Sequence, residues 1–287
     1  MKVVRSVLLS ILLLAYASLP ASLATGEQAG LPAESSLPDL IKKMEARRGT
    51  WTGMKAALSI QFTADHGKQA ACQGTLIYHR LDEKILLQCY REQNRLVFLL
   101  KTTDREFELY LPAQRTLYKG NIFTLEDSPA IESHLRAWDL YRAFKPMVIP
   151  LENIELQKGA GSFFGLIQKR NQLPSGIARE LTISPEGDIV SEIYYDLTGS
   201  PSVEIQRSGF QEMGAATAGM STAYPRQIRI LSYHGNEGDF RETIFEFKQA
   251  AFLADLSEKD FEVSFPENTT VLVLEDTEKN QMVPGTF

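Results

Sequence analysis

The sequence predicts a mainly β, α+β fold: a large antiparallel sheet preceded by one helix and interrupted by a second. Three observations predict it. A helix-sized amphipathic segment opens at Ser36, and six strand-like runs follow in a row from Lys55 to Lys119. Between those runs lie turns so short that successive strands must be antiparallel hairpin neighbours. Several of these strands are apolar on both faces: Ile85-Leu86-Leu87 and Leu96-Val97-Phe98-Leu99-Leu100 do not alternate with polar residues. An antiparallel sheet normally keeps one wet face and alternates. The second face therefore calls for an apolar cover, either the protein's own helices or an acyl cargo.

Ser36-Leu37-Pro38-Asp39 opens the first helix, with Ser36 able to cap and Asp39 adding negative charge to the first turn. Leu37, Leu40, Ile41 and Met44 form one apolar stripe, and Arg47, Arg48 and Gly49 suit its end. Strands are predicted at Lys55–Thr63, Ala70–His79, Lys84–Arg91, Arg95–Thr102, Glu106–Leu111 and Arg115–Lys119. A second helix is predicted over Pro129–Phe144, with Ser128 as cap and Pro146 as terminator. Strands resume at Asn153–Gln157, Ile177–Ser184, Asp188–Asp196, Ser202–Arg207, Gln227–Tyr233 and Phe240–Gln249. Gly214 to Ala223 is small and uncharged and reads as a flexible loop. Leu256 to Phe265 closes the fold.

The first residues point to export. Met1-Lys2 and Arg5 give a positive start, Val7 to Leu14 an apolar core, and Ser22-Leu23-Ala24 the small residues of a cleavage site. Residues 1–24 thus read as a signal peptide cleaved near Ala24, with a retained N-terminal anchor as the alternative. A lipoprotein signal places a cysteine just after the cleavage site. The only cysteines are Cys72 and Cys89, so the expected product is periplasmic and not lipid-anchored. Cleavage takes two of 30 basic residues and none of the 36 acidic ones, so the net charge moves from −6 to −8. That acidity argues against nucleic acid as a partner. Residues 25–35 read as a disordered leader, 36–274 as one domain, and 275–287 as a flexible tail.

Two cysteines in an exported chain suggest one disulfide between Cys72 and Cys89 on adjacent strands. A turn centred near Arg80-Leu81 sets them directly opposite, and a later centre offsets them by a few residues. Cross-strand Cα separations suit the bond in the first register.

Motifs that carry chemistry are not evident. His66, His79, His134 and His234 are scattered with no partner at metal-ligand spacing. Gly159-Ala160-Gly161-Ser162-Phe163-Phe164-Gly165 lacks the Lys-Ser/Thr of a phosphate loop and reads as a turn. The expectation is a protein without cofactor or metal that is not an enzyme.

Gly74-Thr75-Leu76-Ile77-Tyr78-His79-Arg80-Leu81 resembles the G-x-L-x-x-x-R-P strand and turn of the LolA/LolB lipoprotein-carrier family. The likeness continues through Lys84-Ile85-Leu86-Leu87 and Phe107-Glu108-Leu109-Tyr110-Leu111-Pro112. It ends at Phe261-Glu262-Val263-Ser264-Phe265-Pro266, similar to the family's closing strand. The resemblance implies a curved antiparallel sheet forming an unclosed half-barrel, with helices on its concave face and a cavity for the acyl chains of a lipid or lipoprotein. It implies envelope proteins as donor and acceptor, and peripheral contact with membrane machinery rather than insertion. Arg80 matches the family's turn arginine that holds the lid shut, although Leu81 stands where the family has proline; a solvated turn arginine is the competing reading. The missing lipid-anchor cysteine and the polar Glu92-Gln93-Asn94 turn favour a soluble carrier or sensor over an anchored acceptor.

Leu76, Tyr78, Phe98, Leu100, Leu109, Tyr118, Trp138, Tyr195 and Phe245 are the expected cavity residues, each on a face rich in large apolar groups. Singly, each also fits plain core, so they count as a set. The leading expectation is a periplasmic carrier in outer-membrane biogenesis. The alternative is an envelope-stress sensor or adaptor that uses the same fold to bind a protein.

Overall fold

The computed structural model describes residues 36–48, 51–63, 69–103, 105–121, 137–144, 153–158, 161–169, 176–214, 221–233 and 240–274. Its first half follows the apolar runs closely. Helix α1 covers Leu37–Arg48, and the meander comprises β1 (Gly53–Thr63), β2 (Gln69–His79), β3 (Lys84–Arg91), β4 (Arg95–Thr102), β5 (Glu106–Leu111) and β6 (Thr116–Asn121). Helix α2 spans Ala137–Phe144. The upstream part of the helix predicted from Pro129 lies outside the described residues, as do residues 1–35 and 275–287. Next come β7 (Ile154–Lys158), β8 (Phe164–Lys169), β9 (Ile177–Ile183), β10 (Ile189–Tyr195) and β11 (Pro201–Ser208). The chain continues with β12 (Gln211–Gly214), β13 (Ser221–Tyr224), β14 (Gln227–Tyr233), β15 (Phe240–Leu253) and β16 (Thr270–Leu274).

Fourteen strands form one sheet in the order β16-β6-β5-β4-β3-β2-β1-β15-β14-β11-β10-β9-β8-β7, and β12 and β13 form a separate hairpin. Pairing is antiparallel throughout the large sheet except for β16, which runs parallel to β6. Since β7 and β16 end the order without meeting, the sheet is unclosed. It is also bent. Helix α2 approaches both β4 and β14, which stand five strand positions apart, about 24 Å across a flat sheet. An eight-residue helix is only about 12 Å long, so curvature brings both strands to it.

Strand alternation divides the sheet into two walls. The concave wall carries Met54, Leu58, Ile60, Leu76, Tyr78, Leu87, Phe98, Leu100, Leu109 and Phe245 in one buried cluster with Leu140 and Phe144 of α2. A second concave patch, Leu166, Leu181 and Ile183, packs under Leu40 of α1 and is contiguous with the first through the β8–β9–β10–β11 ladders. Gly187, in the turn before β10, has φ of +98°, and a Cβ there would meet the Lys43 backbone at 3.0 Å. Only glycine gives α1 this close approach. Arg47 then fastens the helix to Asp188 through a two-pronged pair at 3.0 and 2.8 Å.

The doubly apolar meander has an unexpected cover. Leu86, Leu99, Tyr110 and Leu117 point to the convex side and are buried with Phe261, with Leu256, Val263 and Phe265 packed around them. Thus the chain's own segment 256–265 covers the second face, rather than helices or cargo. That segment is no strand: it holds a 3₁₀ turn at Glu258–Phe261 and otherwise extended backbone. Ser257 closes the turn by donating its N–H to Asp260 Oδ2 at 2.9 Å. Lys55 pairs with Asp260 at 2.6 Å and Lys84 with Glu258, so the strap is pinned from the sheet by two cations. The last strand is instead β16, which pairs with β6 after the strap.

Other elements also depart from expectation. Phe164–Lys169 is a strand, its pairing to β7 and β9 supplying the ladder that the glycine-rich turn before it concealed. Ser221–Tyr224 pairs with Gln211–Gly214, so both ends of the expected loop form a hairpin. Between them, 215–220 lie outside the described residues.

Candidate functional site

The concave wall gathers aromatic side chains at the β1–β15 junction. Trp51, immediately before β1, contacts Tyr78, Tyr224 and Phe252 at ring-centroid distances of 5.8, 6.4 and 5.0 Å. Phe247 meets Tyr224 at 5.1 Å, and Phe144 of α2 sits edge-on to Phe245 at 5.0 Å. Offset and edge-on rings of this kind fill space without fixing hydrogen bonds. Trp51 Nε1 and the Tyr224 hydroxyl are indeed buried without a hydrogen-bond partner. Burial pushes the Tyr224 hydroxyl well above the usual phenol range.

Helix α2 lies across this wall. Leu140, Ala143 and Phe144 supply its described apolar contact, and side chains from three neighbouring strands add to it. Ser232 on β14 donates to Asp139 Oδ2 at 2.8 Å. Arg207 on β11 donates to the Ala143 carbonyl at 3.2 Å, near the helix C-terminus where a cation is favoured. The Arg142 guanidinium lies 4.3 Å above the Tyr194 ring of β10.

Between the patches under α1 and α2, the wall turns polar. Glu192, only 1 % exposed, accepts from Arg207 Nη1 at 2.6 Å and from the Tyr194 hydroxyl at 2.7 Å. Arg179 shares this face through the Arg179–Tyr194 and Leu181–Glu192 pairings. Burial, and then the charge of Glu192, push the Tyr194 hydroxyl far up.

Seven of the nine expected cavity residues line the concave wall and are buried within its single cluster: Leu76, Tyr78, Phe98, Leu100, Leu109, Tyr118 and Phe245. Trp138 lies in α2, and its side chain is outside the described residues. Tyr195 does not belong to the set. The register shift between Ile189 and Ser191 puts Glu192 and Tyr194 on the concave side, and strand alternation then turns Tyr195 to the convex one. There burial and neighbouring Glu180 push Tyr195 up to about 12. Arg80 stands at the β2–β3 turn with its guanidinium 5.1 Å over Trp51 and its N–H bonded to the Thr52 carbonyl.

Cys72 and Cys89 form a disulfide with Cα atoms 5.8 Å apart, in the concave cluster. Their register is the offset one: Gly74 faces Cys89, and the turn centres between Leu81 and Asp82. The expectation that only directly opposite cysteines fit is corrected by strand twist, which shortens one diagonal of the ladder. Of the four histidines, His79 is described, and it accepts from the Asp82 N–H in the same turn at 3.2 Å.

Sequence reasoning missed Trp51, Phe144, Tyr194, Tyr224, Phe247, Phe252 and the charged groups of β9 to β11. Phe247 follows Phe245 at strand period two and was findable. Tyr224 stood at the edge of an expected loop, and nothing local marks Arg179 or Glu192 as inward.

No protein-family model matches this sequence, and no curated sequence matches it. Solved structures do. A DUF1329 family protein from Desulfovibrio piger aligns over 78 % of this chain and 95 % of its own, at 13 % identity and a TM-score of 0.54. A Vibrio parahaemolyticus domain, described as that of an outer-membrane lipoprotein-sorting protein, aligns over 78 % of this chain and 94 % of its own. Its identity is 11 % and its TM-score 0.52. The fold is LolA-like. What the LolA-like frame provides here is a bent, open sheet with both described helices on its concave side. Among the described residues, no helix is long and apolar enough to cross a membrane.

Proposed function

We propose that this protein is a periplasmic carrier that holds the acyl chains of a lipid or lipoprotein against its concave wall during outer-membrane biogenesis. One observation carries the reading: a continuous aromatic and aliphatic cluster on the concave wall is covered by a helix whose described apolar contacts are Leu140, Ala143 and Phe144. Leu140 and Phe144 together contribute about 3–6 kcal/mol of burial. An acyl chain of about fifteen methylenes gains roughly 12 kcal/mol in the same place, before the cost of ordering it. In this reading the lipid displaces α2. The lining residues are buried, so in this reading uptake requires that displacement. Arg80, over Trp51, acts as the gate in this reading, and Arg207 supplies a direct hydrogen bond to the covering helix. No covalent step is involved.

Native mass spectrometry of protein purified from the cell envelope tests this. Co-purifying acyl chains, and saturable binding of a fluorescent acyl probe after delipidation, are expected. A stoichiometric protein partner with no saturable probe binding would instead identify an adaptor.

A further inference from the structure

The polar group on β9 to β11 holds one more cation than its hydrogen bonding uses. Glu192 is already engaged by Arg207 and by the Tyr194 hydroxyl. Arg179, 9 % exposed, comes no nearer to Glu192 Oε2 than 3.9 Å, beyond hydrogen-bond distance. Its Nε–H is buried with no acceptor, and its guanidinium carbon lies 5.4 Å over the Tyr194 ring. The Arg142 guanidinium lies over the same ring. A guanidinium presents five N–H donors in a rigid plane suited to carboxylate or phosphate. Burying one without acceptors is strongly unfavourable, so a cation with a purely structural role is expected to be bonded as Arg207 is. Tyr194 packs against the main apolar cluster, which places Arg179 where the greasy wall ends.

We infer that Arg179 receives the oxyanion head, carboxylate or phosphate, of an amphiphile whose acyl chain lies along the adjoining apolar wall. The ligand class is thereby an acidic lipid rather than a neutral one. Arg207 and Glu192 position the Tyr194 ring beneath the head, while Arg179 contacts it. This inference rests on the acyl-binding reading above.

The test uses the delipidated full chain, a fluorescent fatty acid and its methyl ester, both at mildly alkaline pH and below their micelle concentrations. The acid is expected to bind about 10-fold more tightly than the ester, the worth of a hydrogen bond to a charged group. Arg179→Gln should erase that preference by weakening the acid far more than the ester, and Arg179→Lys should retain part of it. Equal binding of acid and ester to the wild type overturns the head-group site and leaves acyl binding intact. A preference that survives in Arg179→Gln overturns the assignment to Arg179. Binding of neither probe overturns both readings. Inorganic phosphate that competes with the acid but not with the ester supports the oxyanion site. Phosphate that binds the apo protein without weakening the acid overturns the placement of the head there. Should Arg179→Gln lose its thermal transition, the wild-type acid-to-ester ratio and Arg179→Lys decide.

Discussion

Glu192 is a buried acid on the concave wall with two side-chain donors. It is only 1 % exposed and is held by Arg207 at 2.6 Å and Tyr194 at 2.7 Å. Removing one partner of a buried pair leaves the other unpaired in a poor solvent, which costs more than the pair contributes. Glu192→Ala should therefore destabilise the fold by about 3–5 kcal/mol. Equilibrium urea unfolding measures it, and a loss below about 1 kcal/mol would show that water reaches Arg207 freely. None of this was visible in the sequence, where Glu192 stands in a strand of mixed polarity beside two tyrosines. A single bulge decides which tyrosine faces inward, and bulges leave no reliable local mark. Apolar positions were easier. Leu76, Tyr78, Phe98, Leu100 and Leu109 share a face because strand period is two and their neighbours' register was set by short turns.

At the scale of elements, the meander β1–β6 was legible because each break carries turn chemistry and each run has strand composition. The convex strap was not. Its residues Phe261, Val263 and Phe265 alternate like a strand, yet their backbone pairs with no neighbour and their side chains cover Leu86, Leu99 and Tyr110 from outside. Gly53 marks the place where the strap begins, since a Cβ there would come within 2.6 Å of Leu256. Such coverage depends on a chain returning from more than 150 residues away, and no local pattern encodes it. The strap's importance is measurable by contrast with β16. Phe261 is 3 % exposed, and Phe261→Ala should cost about 3–4 kcal/mol through the lost transfer and the cavity left behind. Val273 is 68 % exposed on β16, and Val273→Thr should stay within about 0.5 kcal/mol. Comparable losses for the two would mean that β16, rather than the strap, holds the convex side together.

For the whole molecule, the decisive matter is whether α2 leaves the concave wall when an acyl chain arrives. The bent sheet is a scaffold held by ladder hydrogen bonds along fourteen strands, whereas the described contacts of α2 include Leu140, Ala143 and Phe144, the bonds from Ser232 and Arg207, and Arg142 over Tyr194. Displacing this one eight-residue helix leaves the ladder itself intact, and the elements drawn into such motion come from the low-stability end of a structure. A covalent lock separates this from a wall that is simply core. Asp139 and Ser232 touch at 2.8 Å through their side chains, which makes the double variant Asp139→Cys, Ser232→Cys the pair to bridge by oxidation, with loss of free thiol as the check that the bond has formed. Oxidised, that variant should bind no fluorescent acyl probe, and reduction with a mild thiol should restore binding to the level of the reduced control, the native Cys72–Cys89 bond being buried in the same cluster. Unchanged probe binding by the locked protein would place the ligand elsewhere and leave α2 as a permanent part of the core.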